Sequence, residues 1–96
     1  DIVLGLSDFQ ASFQNVSLFP NPTENELQVS FHSKTGNNEL TFTITDLSGK
    51  LIKSLPVHAQ EGSNLVFIET NDLSAGTYLI KMSGSAQDQT FPFVKK

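Results

Sequence analysis

Residues 40–45 alternate apolar and hydroxyl-bearing side chains without a break, and no other feature restricts the fold as much. Leu40, Phe42 and Ile44 take every second position, and threonine fills the positions between them. Because successive side chains of a β-strand point to opposite faces of a sheet, this run predicts a strand with one face in a core and the other in water. A helix would spread the same residues around its whole circumference.

Shorter runs with the same alternation follow one another along the rest of the chain. Their apolar members are Val16 and Leu18, then Leu27, Val29 and Phe31, then Val66 and Ile68, then Tyr78, Ile80 and Met82, and finally Phe91 and Phe93. A further strand is expected over residues 50–55. Glycine, proline and asparagine separate the runs at spacings of roughly 8 to 12 residues, which is typical of two packed antiparallel sheets. The sequence therefore predicts an all-β domain, an immunoglobulin-like seven-stranded antiparallel β-sandwich.

Turn residues and prolines indicate where individual strands end. Asp46-Leu47-Ser48-Gly49 predicts a hairpin, because an aspartate can accept hydrogen bonds from the backbone that follows it and a glycine can adopt a positive φ. Pro56 is expected to end the strand that begins near residue 50. Pro92 is expected to remove one hydrogen-bond donor from the last strand and to confine that strand to an edge of its sheet.

A tyrosine corner is indicated before the sixth strand. Leu73, Gly76 and Tyr78 follow the order of a core leucine, a tight turn and a tyrosine whose hydroxyl bonds back to the preceding connection. Because this arrangement is typical of immunoglobulin-like sandwiches, it supports that form of the fold.

The folded domain is predicted to begin near residue 16. Residues 1–15 lack sustained alternation and carry spaced polar side chains, which indicates a linker from an upstream domain, whereas residues 16–96 form the domain. The apolar residues near the start have no basic region before them and are too few for an export signal or a membrane span. If the protein is exported, we expect this chain to be the tail of a longer precursor, without direct membrane insertion.

Composition argues against several classes of function. The chain has no cysteine, which excludes a disulfide framework, a thiolate nucleophile and a cysteine-based zinc site. Its net charge of −4 has the wrong sign for a nucleic-acid backbone, and no basic patch compensates. No spacing of Ser, His, Asp or Glu matches a catalytic or metal-binding motif. The prediction is therefore no enzyme activity, no metal, no cofactor and no nucleic-acid partner.

Two further segments are open to more than one interpretation. Pro20-Asn21-Pro22 stiffens the crossing after the first strand and by itself indicates only a rigid turn. Phe93-Val94-Lys95-Lys96, the last four residues, have the pattern of an edge strand whose solvated lysines resist edge-to-edge aggregation. The same four residues would also suit strand addition by a partner protein.

Taken in order, these signals resemble one known family. Leu18-Phe19-Pro20-Asn21-Pro22-Thr23, Ile44-x-Asp46-x-x-Gly49-Lys50, Leu73-x-Ala75-Gly76-Thr77-Tyr78 and Phe93-Val94-Lys95-Lys96 look like the recurrent segments of type A C-terminal sorting domains of the type IX secretion system. The resemblance implies an immunoglobulin-like sandwich that directs an upstream cargo domain from the periplasm through the outer-membrane translocon of a Gram-negative bacterium. It also implies that a sortase-like cysteine protease removes the domain, within or before residues 1–15, and joins the cargo to the cell surface.

The same resemblance implies roles for individual residues. The candidate contacts with the translocon or the sortase-like protease are Lys50, Phe93, Val94, Lys95 and Lys96. The family positions expected to act mainly through structure are Pro20, Asn21, Pro22, Asp46, Gly49, Leu73, Gly76 and Tyr78. The implied function is that of a non-catalytic secretion signal, found in the periplasm during transit and then at the cell surface or secreted.

One competing hypothesis follows from the residues. An immunoglobulin-like or fibronectin-like accessory module would bind carbohydrate or pack against a neighbouring domain. The chain has no tryptophan and a single tyrosine, which argues against a surface that stacks on sugars.

Overall fold

The computed structural model describes residues 13–34, 38–84 and 88–96, which form seven β-strands. The strands are β1 (Phe13–Phe19), β2 (Glu26–Ser33), β3 (Asn38–Asp46), β4 (Leu51–Ala59), β5 (Gly62–Glu69), β6 (Gly76–Ser83) and β7 (Gln89–Lys95). Neighbouring strands pair antiparallel throughout. These described ranges contain no helix, and hence no helix that could cross a membrane.

The strands form two sheets. One has three strands in the order β1-β2-β5, and the other has four in the order β4-β3-β6-β7. The chain stays within one sheet at the β1–β2, β3–β4 and β6–β7 connections and changes sheets at the other three. The prediction of an all-β, immunoglobulin-like sandwich of seven antiparallel strands is confirmed.

The core lies between the two sheets and is built from alternate residues of the strands. Its buried members are Leu27, Val29, Phe31, Leu40, Phe42, Ile44, Ala59, Ile68, Leu73, Tyr78, Ile80, Met82 and Phe93. The rings of Phe31 and Phe42 meet between the sheets, with centroids 6.1 Å apart and planes inclined by 59°. Thr41, Thr43 and Thr45 are exposed or half-buried, so the alternation along β3 separates core from solvent as predicted.

β4 does not end at Pro56, so that prediction is wrong. The strand continues to Ala59, which is fully buried, and Pro56 lies opposite Thr41 of β3. β4 has a neighbour on one side only, and an edge strand tolerates a proline whose nitrogen faces away from that neighbour. β7 forms the other edge of the same sheet, as Pro92 predicts.

The predicted linker falls mainly on residues 1–12, which lie outside the described residues. β1 begins at Phe13 and ends at Phe19. The division of the chain at residue 16 stays a prediction.

Candidate functional site

Three turn segments and the end of β7, which lie far apart in the sequence, meet at one end of the sandwich. β3 ends, β6 begins and β7 ends there, because Asp46 lies opposite Tyr78 and Tyr78 lies opposite Phe93. The β1–β2 connection joins them through a bridge between Thr23 and Lys95. We call this end the motif pole, and it consists of residues 20–23, 46–50, 73–78 and 93–96.

Residues 21–23 fasten β7 to the β1–β2 connection, and we call them the brace. The Thr23 N–H donates to the Val94 carbonyl oxygen at 2.8 Å, and the Lys96 N–H donates to the Thr23 carbonyl oxygen at 2.8 Å. The Val94 N–H donates to Oδ1 of Asn21 at 3.0 Å, although the two residues are 73 positions apart. Pro20-Asn21-Pro22 is therefore more than a rigid turn, because it holds the outer edge of the last strand.

Thr23 anchors the brace from inside the sandwich. It is fully buried, and its hydroxyl donates to the Glu26 carbonyl oxygen at 2.7 Å. Oγ1 of Thr23 lies 3.3 Å from Oγ1 of Thr70, which is also fully buried. Sequence reasoning included Thr23 in a family segment without giving it a role, and it missed Thr70. The position of Thr23 directly after the Pro-Asn-Pro motif could have identified it as part of the site. No motif near Thr70 in the sequence could have done so.

The brace corrects one expectation about the last strand and explains how β7 accommodates Pro92. Strand addition by a partner is blocked at Val94 and Lys96, because the outward N–H groups of both residues already bond the brace. The backbone groups of Pro92 point to the same side as those of Val94, because residues two apart in a strand direct their backbone groups alike. Its missing N–H therefore faces away from β6, and the pairing of β7 with β6 is continuous from Gln89 to Lys95.

The Asp46 turn is closed by hydrogen bonds within five residues. Oδ1 of Asp46 accepts from the Ser48 hydroxyl at 2.6 Å, from the Ser48 N–H at 2.9 Å and from the Lys50 N–H at 3.0 Å. Gly49 follows with a φ of 93°, a conformation that favours glycine. The bond from the Ser48 hydroxyl, followed by that from the Lys50 N–H, lowers the pKa of Asp46. The hairpin prediction is confirmed, and the carboxylate is committed to the turn.

The tyrosine corner is present at the start of β6. The Tyr78 hydroxyl donates to the Ser74 carbonyl oxygen at 2.6 Å. The Tyr78 ring is buried and stacks on Phe93, with centroids 5.6 Å apart and planes inclined by 22°. Leu73 is buried in the core, and Gly76 takes a φ of 153°, which side chains rarely adopt. The predicted corner therefore positions β6 and, through the stacked rings, β7.

Four of the five candidate contact residues lie at the surface of the motif pole. Lys50 and Lys96 are exposed, Val94 is 39% exposed and Lys95 is half-buried. Phe93 is 1% exposed and lies in the core, so a partner cannot touch its side chain while β7 is folded. The structure thus separates Phe93 from the other four.

Charges of both signs surround these surface residues. Nζ of Lys96 lies 3.9 Å from the Glu24 carboxylate. Nζ of Lys95 bonds only the Lys96 carbonyl oxygen at 3.4 Å, and the Lys50 ammonium makes no ion pair with any described residue. A groove of about 320 Å³ borders Lys96. Its lining residues are Pro20, Pro22, Glu24, Asn25, Glu26 and Lys96. Lys50 and Lys95 thus form no close ion pair with a described carboxylate, although Lys50 acts on Asp46 and Lys95 on Asp72 at longer range.

Sequence reasoning also missed an ion pair beside the motif pole. Nζ of Lys53 donates to Oδ1 of Asp72 at 3.0 Å and to the Glu69 carbonyl oxygen at 2.8 Å, which joins β4 to the end of β5. The bond from Lys53 lowers the pKa of Asp72. Within residues 13–34, 38–84 and 88–96, no group of three or more His, Asp or Glu side chains could hold a metal ion.

The fold and the motif pole together define a class, a small immunoglobulin-like domain whose distinctive residues are gathered at one end. A family model described as the secretion system C-terminal sorting domain matches residues 17–96. Because this match covers most of the chain, the protein belongs to the family of type IX secretion C-terminal sorting domains. No curated protein matches the chain. The resemblance found in the sequence is confirmed, and the domain is a type IX sorting signal that directs transit to the cell surface or secretion.

Proposed function

We propose that the exposed part of the motif pole is the surface by which the type IX translocon recognises this domain. Lys50, Val94, Lys95 and Lys96 form the contact, in which an apolar side chain is accompanied by cations. One observation supports this assignment above others. The brace, the Asp46 turn and the tyrosine corner use the family positions to fix the segments that carry these four residues.

Phe93 contributes to the same recognition from the core. Its ring stacks on Tyr78, and its place opposite that residue sets the register of β7 against β6. Since side chains alternate along a strand, burial of Phe93 directs Val94 outward. Phe93 is therefore a positioning residue, and Val94 is the apolar side chain that the partner touches.

The route that we propose for the domain extends beyond recognition. A cargo domain precedes it, and the precursor passes through the periplasm to the outer-membrane translocon. A sortase-like cysteine protease then cleaves within or before residues 1–15, and the cargo is attached at the cell surface. The sorting domain itself performs no catalysis. Family membership supports this route, and a cut ahead of Phe13 would leave all seven strands whole.

A reporter fusion tests the recognition surface. A fluorescent protein with its own export signal is joined to the 96-residue chain and produced in a bacterium that has type IX secretion. We expect the intact fusion to reach the cell surface. Replacement of Lys50, Lys95 and Lys96 together by glutamine is expected to retain the fusion in the periplasm, as is deletion of residues 94–96.

The matched control removes cations that lie away from the motif pole. Lys34→Gln with Lys81→Gln is expected to leave surface delivery unchanged, and circular dichroism checks that every variant is folded. Normal export of the folded triple lysine variant would overturn the assignment of the contact. Periplasmic retention of the intact fusion would overturn the secretion route and favour an accessory binding module. Mass spectrometry of the surface-bound reporter locates the cleaved bond, and a cut beyond residue 15 contradicts the proposed segment.

A further inference from the structure

Three of the four edge strands carry a feature that hinders pairing with another chain. β1 has a bulge between Gln14 and Ser17, β4 contains Pro56, and β7 contains Pro92 and is covered by the brace. β5 differs, because it pairs with β2 in an unbroken register and contains no proline, bulge or lysine. Among the described strands, β5 is therefore the open edge.

The backbone groups of Leu65 and Phe67 face this open edge. The Thr70 N–H donates to the carbonyl oxygen of Asn25, which directly precedes β2. Because backbone groups alternate in direction along a strand, even-numbered residues of β5 direct theirs to β2 and odd-numbered residues direct theirs away. The Glu69 carbonyl oxygen agrees, since it accepts from Lys53 of the other sheet. No described residue bonds the N–H or C=O groups of Leu65 and Phe67. As far as the described residues go, those four groups are available to an added strand.

An apolar patch lies on the outer face beside the open edge. Phe67 is 54% exposed and Leu65 is 50% exposed. The register places Phe19, Gln28 and Phe67 in one row across the three strands, and Phe19 is 41% exposed. Gln28 separates Phe19 from Phe67, whereas Leu65 and Phe67 lie two positions apart on one face. Exposed apolar side chains beside an unpaired edge favour a binding site there.

Two carboxylates border the patch and favour a positively charged partner. Glu26 and Glu69 lie directly opposite each other and are exposed, since their neighbours Leu27 and Ile68 point into the core. Like charges in such a pair repel and destabilise a sheet. Neither carboxylate forms an ion pair with a described residue. A cation from a partner would relieve the repulsion, and a second copy of β5 has none to offer.

We propose that the β5 edge binds an extended, basic segment of another protein. The segment adds as a fourth strand beside β5 and pairs with the backbone of Leu65 and Phe67. It places apolar side chains on the patch and a lysine or arginine beside Glu26 and Glu69. Glu26 also lines the groove that Lys96 borders, so this surface adjoins the motif pole, but the inference rests on the β5 edge and does not depend on the translocon contact.

Two blocked heptapeptides added to the isotope-labelled 96-residue chain test the proposal by NMR. One has the sequence Lys-Val-Thr-Val-Thr-Val-Lys, and the other has glutamate in place of both lysines. We expect amide shifts over residues 62–69 and binding roughly tenfold tighter for the basic peptide, because two rim charges change from repulsive to attractive. Glu69→Gln with Glu26→Gln is expected to reduce that preference roughly threefold.

Matched edge variants decide which strand carries the binding. Phe67→Lys is expected to abolish peptide binding, because a lysine guards an edge against pairing. Leu51→Lys on the β4 edge is the control, since Leu51 is 59% exposed, and it is expected to bind the peptide normally. Shifts at another edge, equal binding of the two peptides, or full binding by the folded Phe67→Lys variant would each overturn the proposal. Sedimentation that shows a dimer abolished by Phe67→Lys would assign the edge to a second copy instead and equally overturn it.

Discussion

The Asp46 turn and the brace both close a connection with a short motif, yet they obtain their hydrogen bonds in opposite ways. Asp46 bonds Ser48 and Lys50, which lie two and four positions away. Asn21 bonds Val94, which lies 73 positions away. The Asp46 turn can form all of its hydrogen bonds once residues 46–50 have folded. The brace can form its bonds only after β7 has packed beside it.

This difference separates motifs that shape their own segment from motifs that assemble distant segments. Loss of the Asp46 turn loosens one hairpin. Loss of the brace instead frees an edge strand that carries exposed residues of the motif pole. We therefore expect substitutions in the brace to cost more stability than substitutions in the turn and to act on residues 93–96.

The largest effect is expected at Thr23. Thr23→Val keeps the shape of the side chain but removes the buried hydroxyl, and we expect the free energy of unfolding to fall by about 1–3 kcal/mol, as for other buried hydrogen bonds. Urea denaturation measures the change. Thr77→Val is the matched control, because Thr77 is exposed at the same pole, and its effect is expected within about 0.5 kcal/mol.

A double-mutant cycle sharpens this result. Thr70→Val removes the hydroxyl that faces Thr23, and replacing both partners of a hydrogen bond leaves no unpaired group between them. The double variant is therefore expected to lose less stability than the two single variants summed. Strict additivity would show that the two buried hydroxyls do not act together.

An intermediate effect is expected at the tyrosine corner, whose hydrogen bond spans four positions. Tyr78→Phe retains the stack on Phe93 but removes the hydroxyl that bonds Ser74, and the expected loss is about 1 kcal/mol of unfolding free energy. Thermal and urea denaturation measure it. A variant as stable as the original would show that the ring, and not the hydroxyl, fixes the start of β6.

A smaller effect on stability is expected at Asn21, because its bond to the Val94 N–H is exposed. Asn21→Ala is expected to cost about 0.5 kcal/mol and to accelerate hydrogen exchange of the Val94 amide without affecting the Lys50 amide. Asn71→Ala, at an exposed asparagine of the β5–β6 connection, is the control. An unchanged Val94 amide would contradict the assignment of the brace.

The smallest effect is expected at Asp46 and depends on pH. The pKa of Asp46 in the folded protein lies below its ordinary value of 3.8, so its contribution to stability is full above that value and is lost as pH falls through the lowered pKa. We expect Asp46→Asn to be less stable than the original at pH 7 and the gap to close in acid. Denaturation at a series of pH values measures the gap. A gap that persists unchanged at pH 2 would contradict this reasoning.

The sequence predicted those elements whose causes are local. The alternation of residues 40–45 is a property of consecutive side chains, and it placed Phe42 and Ile44 in the core correctly. Asp46 and Gly49 determine a hairpin within five residues, and the corner at Tyr78 is equally short. The prediction that a strand ends at Pro56 failed because the sequence does not show that β4 is an edge strand. A proline in an edge strand need not break a hydrogen bond with the neighbouring strand.

The rest of the site depends on contacts that no local pattern contains. Asn21 and Thr23 meet β7 only because the fold brings the first connection beside the last strand. Thr70 joins them from the end of β5, and its sequence neighbours carry no corresponding signal. Phe93 is different, because its alternation with Phe91 already pointed toward the core. The resemblance to sorting domains included Phe93 among the candidate contacts. Its burial agrees with the alternation, and any part that it plays in recognition stays a prediction.

The brace makes the outline of residues 94–96 a property of the whole domain. Asn21 and Thr23 come from the connection after the first strand, so a copy that lacks this connection keeps residues 94–96 but loses the bonds that hold them. For the contact proposed above, recognition of residues 94–96 therefore depends on a completed fold. An incompletely folded copy contains the same residues, but it does not hold them in the arrangement that they have in the folded domain.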